Sequence, residues 1–236
     1  MSQIETIVNR VVENLLKMKY AVKRTYIDEI RNEEYSILTT PNALKKQFVG
    51  ILALGYPEKV GVWSYTLLKE GRIDASSMAA YFQAFLEHDW GLIAINPHFF
   101  GPDSSGAVYL SQLETVVKDL AQDTKIGLIG FSMGGLGVIG YLTENKNILS
   151  QIVGIILLDP LIMSSLGNNE INTFLQKNSL LFSAGAGSLG EQASRLLRIP
   201  EIAIEGIHGE IPSKALKQII SFFKERLGSR DSRLER

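Results

Sequence analysis

The chain has 236 residues, 45% of them hydrophobic and 21% charged, with 24 Lys plus Arg against 25 Asp plus Glu. This length suits one large domain with a real core, and the composition is that of a soluble globular protein. The near-zero net charge leaves no overall field to draw in nucleic acid or anionic lipid. The absence of cysteine excludes disulfides, thiolate metal sites and a cysteine nucleophile.

Residues 1–19 carry Ile4, Ile7, Val8, Val11, Val12, Leu15 and Leu16 at helical spacing, interrupted by Glu5, Asn9, Arg10, Glu13 and Asn14. The pattern predicts an amphipathic helix that packs on its own domain, opened by a capping box at Ser2-Gln3-Ile4-Glu5. It lacks the continuous apolar stretch of a signal peptide. No later run approaches the roughly 20 apolar residues of a membrane span. The expectation is a cytoplasmic protein with no membrane span and no nucleic-acid partner.

Tyr20–Ile27 and Tyr35–Thr40 are rich in β-branched and aromatic residues and predict two antiparallel strands at a sheet edge. Short apolar runs follow at Phe48–Leu54, Gly91–Ile95, Ile126–Gly130, Ile152–Leu158, Leu180–Phe182 and Ile202–Ile204. Strands that are apolar on both faces belong in a parallel sheet covered by helices on each side. Leu110, Leu113, Val116, Val117 and Leu120 form the apolar face of one such helix. Leu216, Ile219, Ile220, Phe223 and Leu227 form another, expected to begin near Pro212 and stop at Gly228, with a charged, frayed tail over 229–236. The predicted architecture is one α/β domain over residues 1–236, a doubly wound, mostly parallel sheet flanked by helices with antiparallel N-terminal edge strands.

The chemistry-bearing signal is Ile126-Gly127-Leu128-Ile129-Gly130-Phe131-Ser132-Met133-Gly134-Gly135. An apolar strand runs into a G-x-S-x-G turn, and a helix-compatible segment, Leu136–Leu142, follows. In a nucleophile elbow the serine takes a strained conformation between strand and helix. Glycines two residues before and after it let the chain fold back without a Cβ clash. A serine that merely caps the next helix is the alternative.

With this turn in this context the chain resembles the α/β-hydrolase superfamily, over about Phe48 to Leu227. The Gly-x-Ser-Met-Gly-Gly version is similar to that of many esterases, dienelactone-hydrolase-like proteins and thioesterases. The resemblance implies the α/β-hydrolase fold and a Ser, acid, His triad in that chain order, with Ser132 as nucleophile.

Of the three histidines, His208 lies in the loop after the last strand, where the superfamily places its base; His88 and His98 precede the serine. The usual acid loop, Ser183-Ala184-Gly185-Ala186-Gly187-Ser188, holds no carboxylate, a departure from the common pattern. One strand earlier, Asp159 ends the run Ile155-Ile156-Leu157-Leu158, and some superfamily members take their acid from that strand. Asp159 is the favoured acid, with Glu205 and Glu191 as alternatives and a turn-capping role before Pro160 as the non-catalytic reading. The oxyanion hole is expected from the backbone N–H groups of Met133 and Tyr56, the latter following Leu54-Gly55 where many relatives carry His-Gly. His98, Phe99 and Phe100, or Leu161, Ile162 and Met163, can line an apolar pocket or be core.

The expected activity is hydrolysis of a small-molecule carboxylic ester or thioester through an acyl-enzyme. Acyl transfer on the same site and a non-catalytic binding or scaffold protein are the alternatives. No cofactor and no metal are expected: Gly127-Leu128-Ile129-Gly130 lacks the G-x-G-x-x-G spacing, no Gly-Lys-Ser/Thr loop occurs, and the histidines are scattered.

Overall fold

The structure is a computed structural model and describes residues 3–28, 33–55, 59–95, 107–162 and 169–234. Its strands are β1 (Val22–Asp28), β2 (Glu33–Thr39), β3 (Phe48–Ala53), β4 (Gly91–Ile95), β5 (Lys125–Phe131), β6 (Ile152–Leu158), β7 (Ser179–Ser183) and β8 (Glu201–Ala203). They form one sheet in the order β1-β2-β4-β3-β5-β6-β7-β8. The pairs β1·β2 and β2·β4 are antiparallel, and every pair from β4 to β8 is parallel. The edge hairpin and the parallel body both follow the composition of their strands.

The helices are α1 (Gln3–Lys17), α2 (Tyr65–Lys69), α3 (Ile73–Ser76), α4 (Ala79–Glu87), α5 (Ala107–Lys118), α6 (Met133–Glu144), α7 (Asn169–Asn178), α8 (Leu189–Leu197) and α9 (Ile211–Leu234). Alternation along the strands builds two apolar layers. On one face Ile51, Ile93, Leu128, Ile155 and Leu181 meet Leu113 of α5, Val138 and Leu142 of α6, Ile171 of α7 and Leu197 of α8. On the other, Leu52, Leu92, Ile129, Ile156 and Phe182 meet Phe82 and Phe85 of α4 and Ile219 and Phe223 of α9. Each such side chain contributes about 1.5–3 kcal/mol on full burial, so this double layer dominates the favourable side of folding.

The N-terminal helix packs on its own domain: Val8 and Val11 lie against Val62 and Leu68, and Glu5 pairs with Lys59 at 3.5 Å. Ser2, the first residue of the expected capping box, lies outside the described residues.

One boundary differs from expectation. Helix α9 does not stop at Gly228 but runs on to Leu234, so the segment expected as a tail is helical up to that point. A glycine inside an exposed helix costs only about 1 kcal/mol relative to alanine. Gly228 has open space around it and no positive φ, so nothing there turns the chain away.

The C-terminal ends of the parallel strands share one edge of the sheet. Chain order reverses at β3, whose neighbours are β4 on one side and β5 on the other, and ligand sites of open α/β sheets sit at such a switch point. A cavity of about 920 Å³ lies at the opposite edge, among Lys46, Phe48, Trp90 and Lys125 where the strands begin, away from this point.

Phe223 fills the space above Gly127 and touches Phe48, with ring centroids 5.2 Å apart. Phe223→Ala is expected to lower unfolding free energy by about 3–5 kcal/mol, read from urea denaturation.

Candidate active site

Ser132 joins β5 to α6 with φ 53° and ψ −121°, a left-handed conformation that non-glycine residues rarely adopt. Its side chain makes no capping hydrogen bond to α6, so the helix-capping role does not account for the serine. The strain is held by close packing. A Cβ on Gly134 would lie 2.0 Å from the Ala53 carbonyl oxygen, and one on Gly130 would lie 2.6 Å from Gly135 Cα. Helix and strand approach closely enough to force the turn only because both positions lack a side chain.

The same turn is tied to the end of β6. Ser132 N–H donates to Leu158 O at 3.1 Å, and Leu161 N–H donates to Ser132 O at 3.0 Å. These two bonds bracket Asp159, which itself has a positive φ of 40°. Asp159 N–H continues the sheet by donating to Phe182 O at 2.7 Å. Its carboxylate is therefore placed from two sides, by the elbow and by β7.

That carboxylate is 2% exposed and fully engaged. Oδ1 accepts the N–H of Gly190 at 2.8 Å and of Ala184 at 3.2 Å, while Oδ2 lies 2.6 Å from His208 Nδ1. Burial alone pushes the Asp159 carboxyl up. The His208 hydrogen bond and the two backbone donors outweigh it and hold the group below its ordinary value. An ionised carboxylate only accepts, so the shared proton belongs to Nδ1 and leaves Nε2 as the ring's acceptor.

His208 enters from the turn before α9. Its ring stacks on Phe131 at 4.7 Å and 24°, and Phe131 immediately precedes Ser132. Phe131 is in turn packed by Trp63, with centroids 5.8 Å apart. The imidazole is held at one edge by Asp159 and on one face by the elbow, while its side chain stays 39% exposed. Across the turn, a Cβ on Gly55 would lie 3.3 Å from Ser132 Oγ, so the hydroxyl borders the loop that leaves β3.

No protein-family model matches this chain, and no curated protein matches it in sequence. Solved structures do match in shape. A histone deacetylase from Saccharomyces cerevisiae is 16% identical with a TM-score of 0.64, over 94% of this chain and 97% of that one. The histone deacetylase Clr3 is 14% identical with a TM-score of 0.69, over 96% of this chain but 39% of that one. Naproxen esterase (carboxylesterase NP) from Bacillus subtilis is 13% identical with a TM-score of 0.57, over 94% of this chain and 99% of that one. The chain has the α/β-hydrolase fold. At these identities the likeness is one of fold.

On the α/β-hydrolase fold the expected site residues fall as follows. Ser132 is at the elbow, Met133 opens α6 with its N–H in the first turn, and Asp159 and His208 meet. Tyr56, the other expected oxyanion donor, lies outside the described residues, as do His98, Phe99, Phe100 and Met163. Glu191 is engaged elsewhere, with Arg195 and the Gly187 N–H. Glu205 lies in the loop before His208 and offers its carbonyl to Lys214. His88 meets Trp90 edge to face at the far edge of the sheet, with ring centroids 5.0 Å apart. Ala184 and Gly190, whose backbone donors serve the carboxylate, and Phe131, the ring's platform, are not among the residues expected from the sequence. The carboxylate-free stretch Ser183–Ser188 was the available signal, because small residues there let the backbone approach an acid supplied by β6. Among the described residues no group of three or more His, Asp or Glu converges to hold a metal, and no helix is long and apolar enough to cross a membrane.

Because the Asp159 carboxyl is held lower in the folded chain than in the unfolded one, it contributes stability above the ordinary carboxylate range. That contribution is lost as pH falls through the folded value. Unfolding free energies from urea titrations are expected to drop from about pH 5 downward. Asp159→Asn is expected to show a shallower dependence than wild type.

Proposed function

We propose that the chain is a serine hydrolase that cleaves carboxylic esters or thioesters through an acyl-enzyme, with Ser132, His208 and Asp159 as its triad. The observation that carries this reading is the 2.6 Å bond between His208 Nδ1 and a buried carboxylate, made beside a serine in the elbow conformation. A buried aspartate on the outer nitrogen orients the ring and stabilises the imidazolium formed during attack.

In this reading Ser132 Oγ attacks the acyl carbon as His208 Nε2 takes the hydroxyl proton. The carbonyl electrons move onto oxygen, where the backbone N–H groups of Met133 and Tyr56 receive the charge. Collapse expels the alkoxide or thiolate, which takes the proton back from His208. Water then repeats the two steps and releases the acid. Asp159 stays ionised throughout, in keeping with the lowering of its pKa by its three donors.

The esterase among the structural neighbours supports ester cleavage as the first activity to test. The two histone deacetylases add acetyl-lysine amides to the panel. Alkyl esters of increasing acyl length test whether Leu161 and Ile162, which follow the acid, favour an apolar acyl group; no preference beyond acetyl would remove that idea.

Wild-type protein is expected to label with a fluorophosphonate at Ser132, and Ser132→Ala to abolish labelling. His208→Ala and Asp159→Asn are expected to slow it by about 10³–10⁴-fold. A folded wild-type protein that does not label, or that labels elsewhere, would overturn the hydrolase reading in favour of a non-catalytic binding protein.

A further inference from the structure

His208 opens a short 3-10 turn, His208–Glu210, that leads directly into α9. The strand before it, β8, is only 3 residues long, and the imidazole is partly exposed. Asp159 restrains the ring at Nδ1, but a ring hydrogen bond does not restrain the backbone that carries it. Something else must hold the turn.

Glu210 is built to do so. Its side chain is 10% exposed, and both oxygens are occupied. Oε1 pairs with the Arg72 guanidinium, which reaches across from the start of α3. Oε2 accepts from Lys214 Nζ at 2.9 Å and from the Ile207 N–H at 3.2 Å. Ile207 immediately precedes His208, so one carboxylate ties the backbone before the imidazole to α9 and to α3. Gly206 has φ +152°, which strains any side chain placed there, and a Cβ would also sit 2.5 Å from Glu210 Oε2.

The other end of the clamp is also fixed. Arg72 N–H donates to Leu67 O at 2.9 Å, and Arg72 O accepts from Ser76 N–H at 3.1 Å. A second contact comes from Ser64, the N-cap of α2: a Cβ on Gly209 would lie 2.7 Å from its Oγ. Helix α2 is packed in turn by α1, through Leu68 against Val8 and Val11. Helices α2 and α3 therefore form a platform on which the histidine turn rests.

Resting on the serine-hydrolase reading, we propose that Glu210, clamped by Arg72, is a positioning residue for His208, holding the turn where the imidazole reaches Asp159 and faces the elbow. Arg72 first, then Lys214 and the Ile207 N–H, bring the Glu210 carboxyl down to about 2, so the clamp stays ionised at any pH where an imidazole serves as base. A purely structural role for Glu210, capping the start of α9, would tie it to stability and not to the state of the ring.

The test reads the His208 tautomer in full-length protein by proton–nitrogen correlation of the histidine rings at a pH where the ring is neutral, with His208→Ala to assign the signal. Wild type is expected to hold the Nδ1–H form. Glu210→Gln is expected to shift the ring toward the Nε2–H form and to slow fluorophosphonate labelling about tenfold to a hundredfold at near-wild-type Tm. Arg72→Met should do the same more weakly, because Lys214 remains, and Arg72→Lys should restore both readouts. A Glu210→Gln protein with the wild-type tautomer and labelling rate overturns the proposal, as does a loss of labelling that only tracks Tm. If Glu210→Gln does not fold, Arg72→Met, whose side chain is 43% exposed, decides by the same two readouts. A tautomer that responds in a wild-type background that does not label supports the clamp and removes the hydrolase reading instead.

Discussion

A carboxylate taken out of water at the end of β6 must find donors, and the arrangement around Asp159 follows from that demand. Three strand ends meet to satisfy it. The loop after β7 and the first turn of α8 bring the N–H groups of Ala184 and Gly190 to one oxygen, and the turn after β8 brings His208 to the other. An unsatisfied buried carboxylate is among the costlier defects a fold can carry, so these elements are held in one relative position. The relation between acid and imidazole is thus part of what keeps this edge of the sheet together.

The elbow imposes a second constraint of a different kind. Ser132 keeps a disfavoured φ because α6 is pressed against β3 and β5 with nothing at positions 130 and 134 but backbone. Strain of this sort persists only where the surroundings over-determine it. Here the surroundings include the hydrogen bonds that link Ser132 to Leu158 and Leu161, on either side of the acid. The Ser132 turn and the Asp159 turn are one unit, and a change to either backbone propagates to the other.

The histidine turn is the least self-sufficient part of the site. Its strand is short, and its position depends on groups far away in sequence: Phe131 beneath the ring, Ser64 against Gly209, and the Arg72 guanidinium on Glu210. Helices α2 and α3, with α1 behind them, give that turn a floor. The amphipathic N-terminal helix thereby acquires a structural relation to the site without touching it.

Much of this was legible from residue order. The six apolar runs became the six parallel strands within a residue or two, and the β-branched stretches before them became the antiparallel edge, because burial on both faces or on one writes a distinct pattern. The elbow was legible because its glycines and serine are contiguous and their spacing is the geometry. Asp159 and His208 could be named from their places after strands because the α/β-hydrolase resemblance says where an acid and a base are expected. Their meeting could not, since it depends on how far each loop travels above the sheet. The donors Ala184 and Gly190 left only the indirect trace of small residues without a carboxylate, since backbone N–H groups carry no residue signature, and the clamp from Arg72 to Glu210 left none, since an ion pair between residues 138 positions apart has no local pattern. The end of α9 was misread because a glycine stops a helix only when something draws the chain into a turn, and no neighbour does so at Gly228. Sequence by itself determined the layers, the strand ends and the strained serine, all set by local periodicity and sterics. Only the tertiary structure decided which groups face one another across the strand ends, because that depends on long-range packing and on the need to satisfy a buried charge.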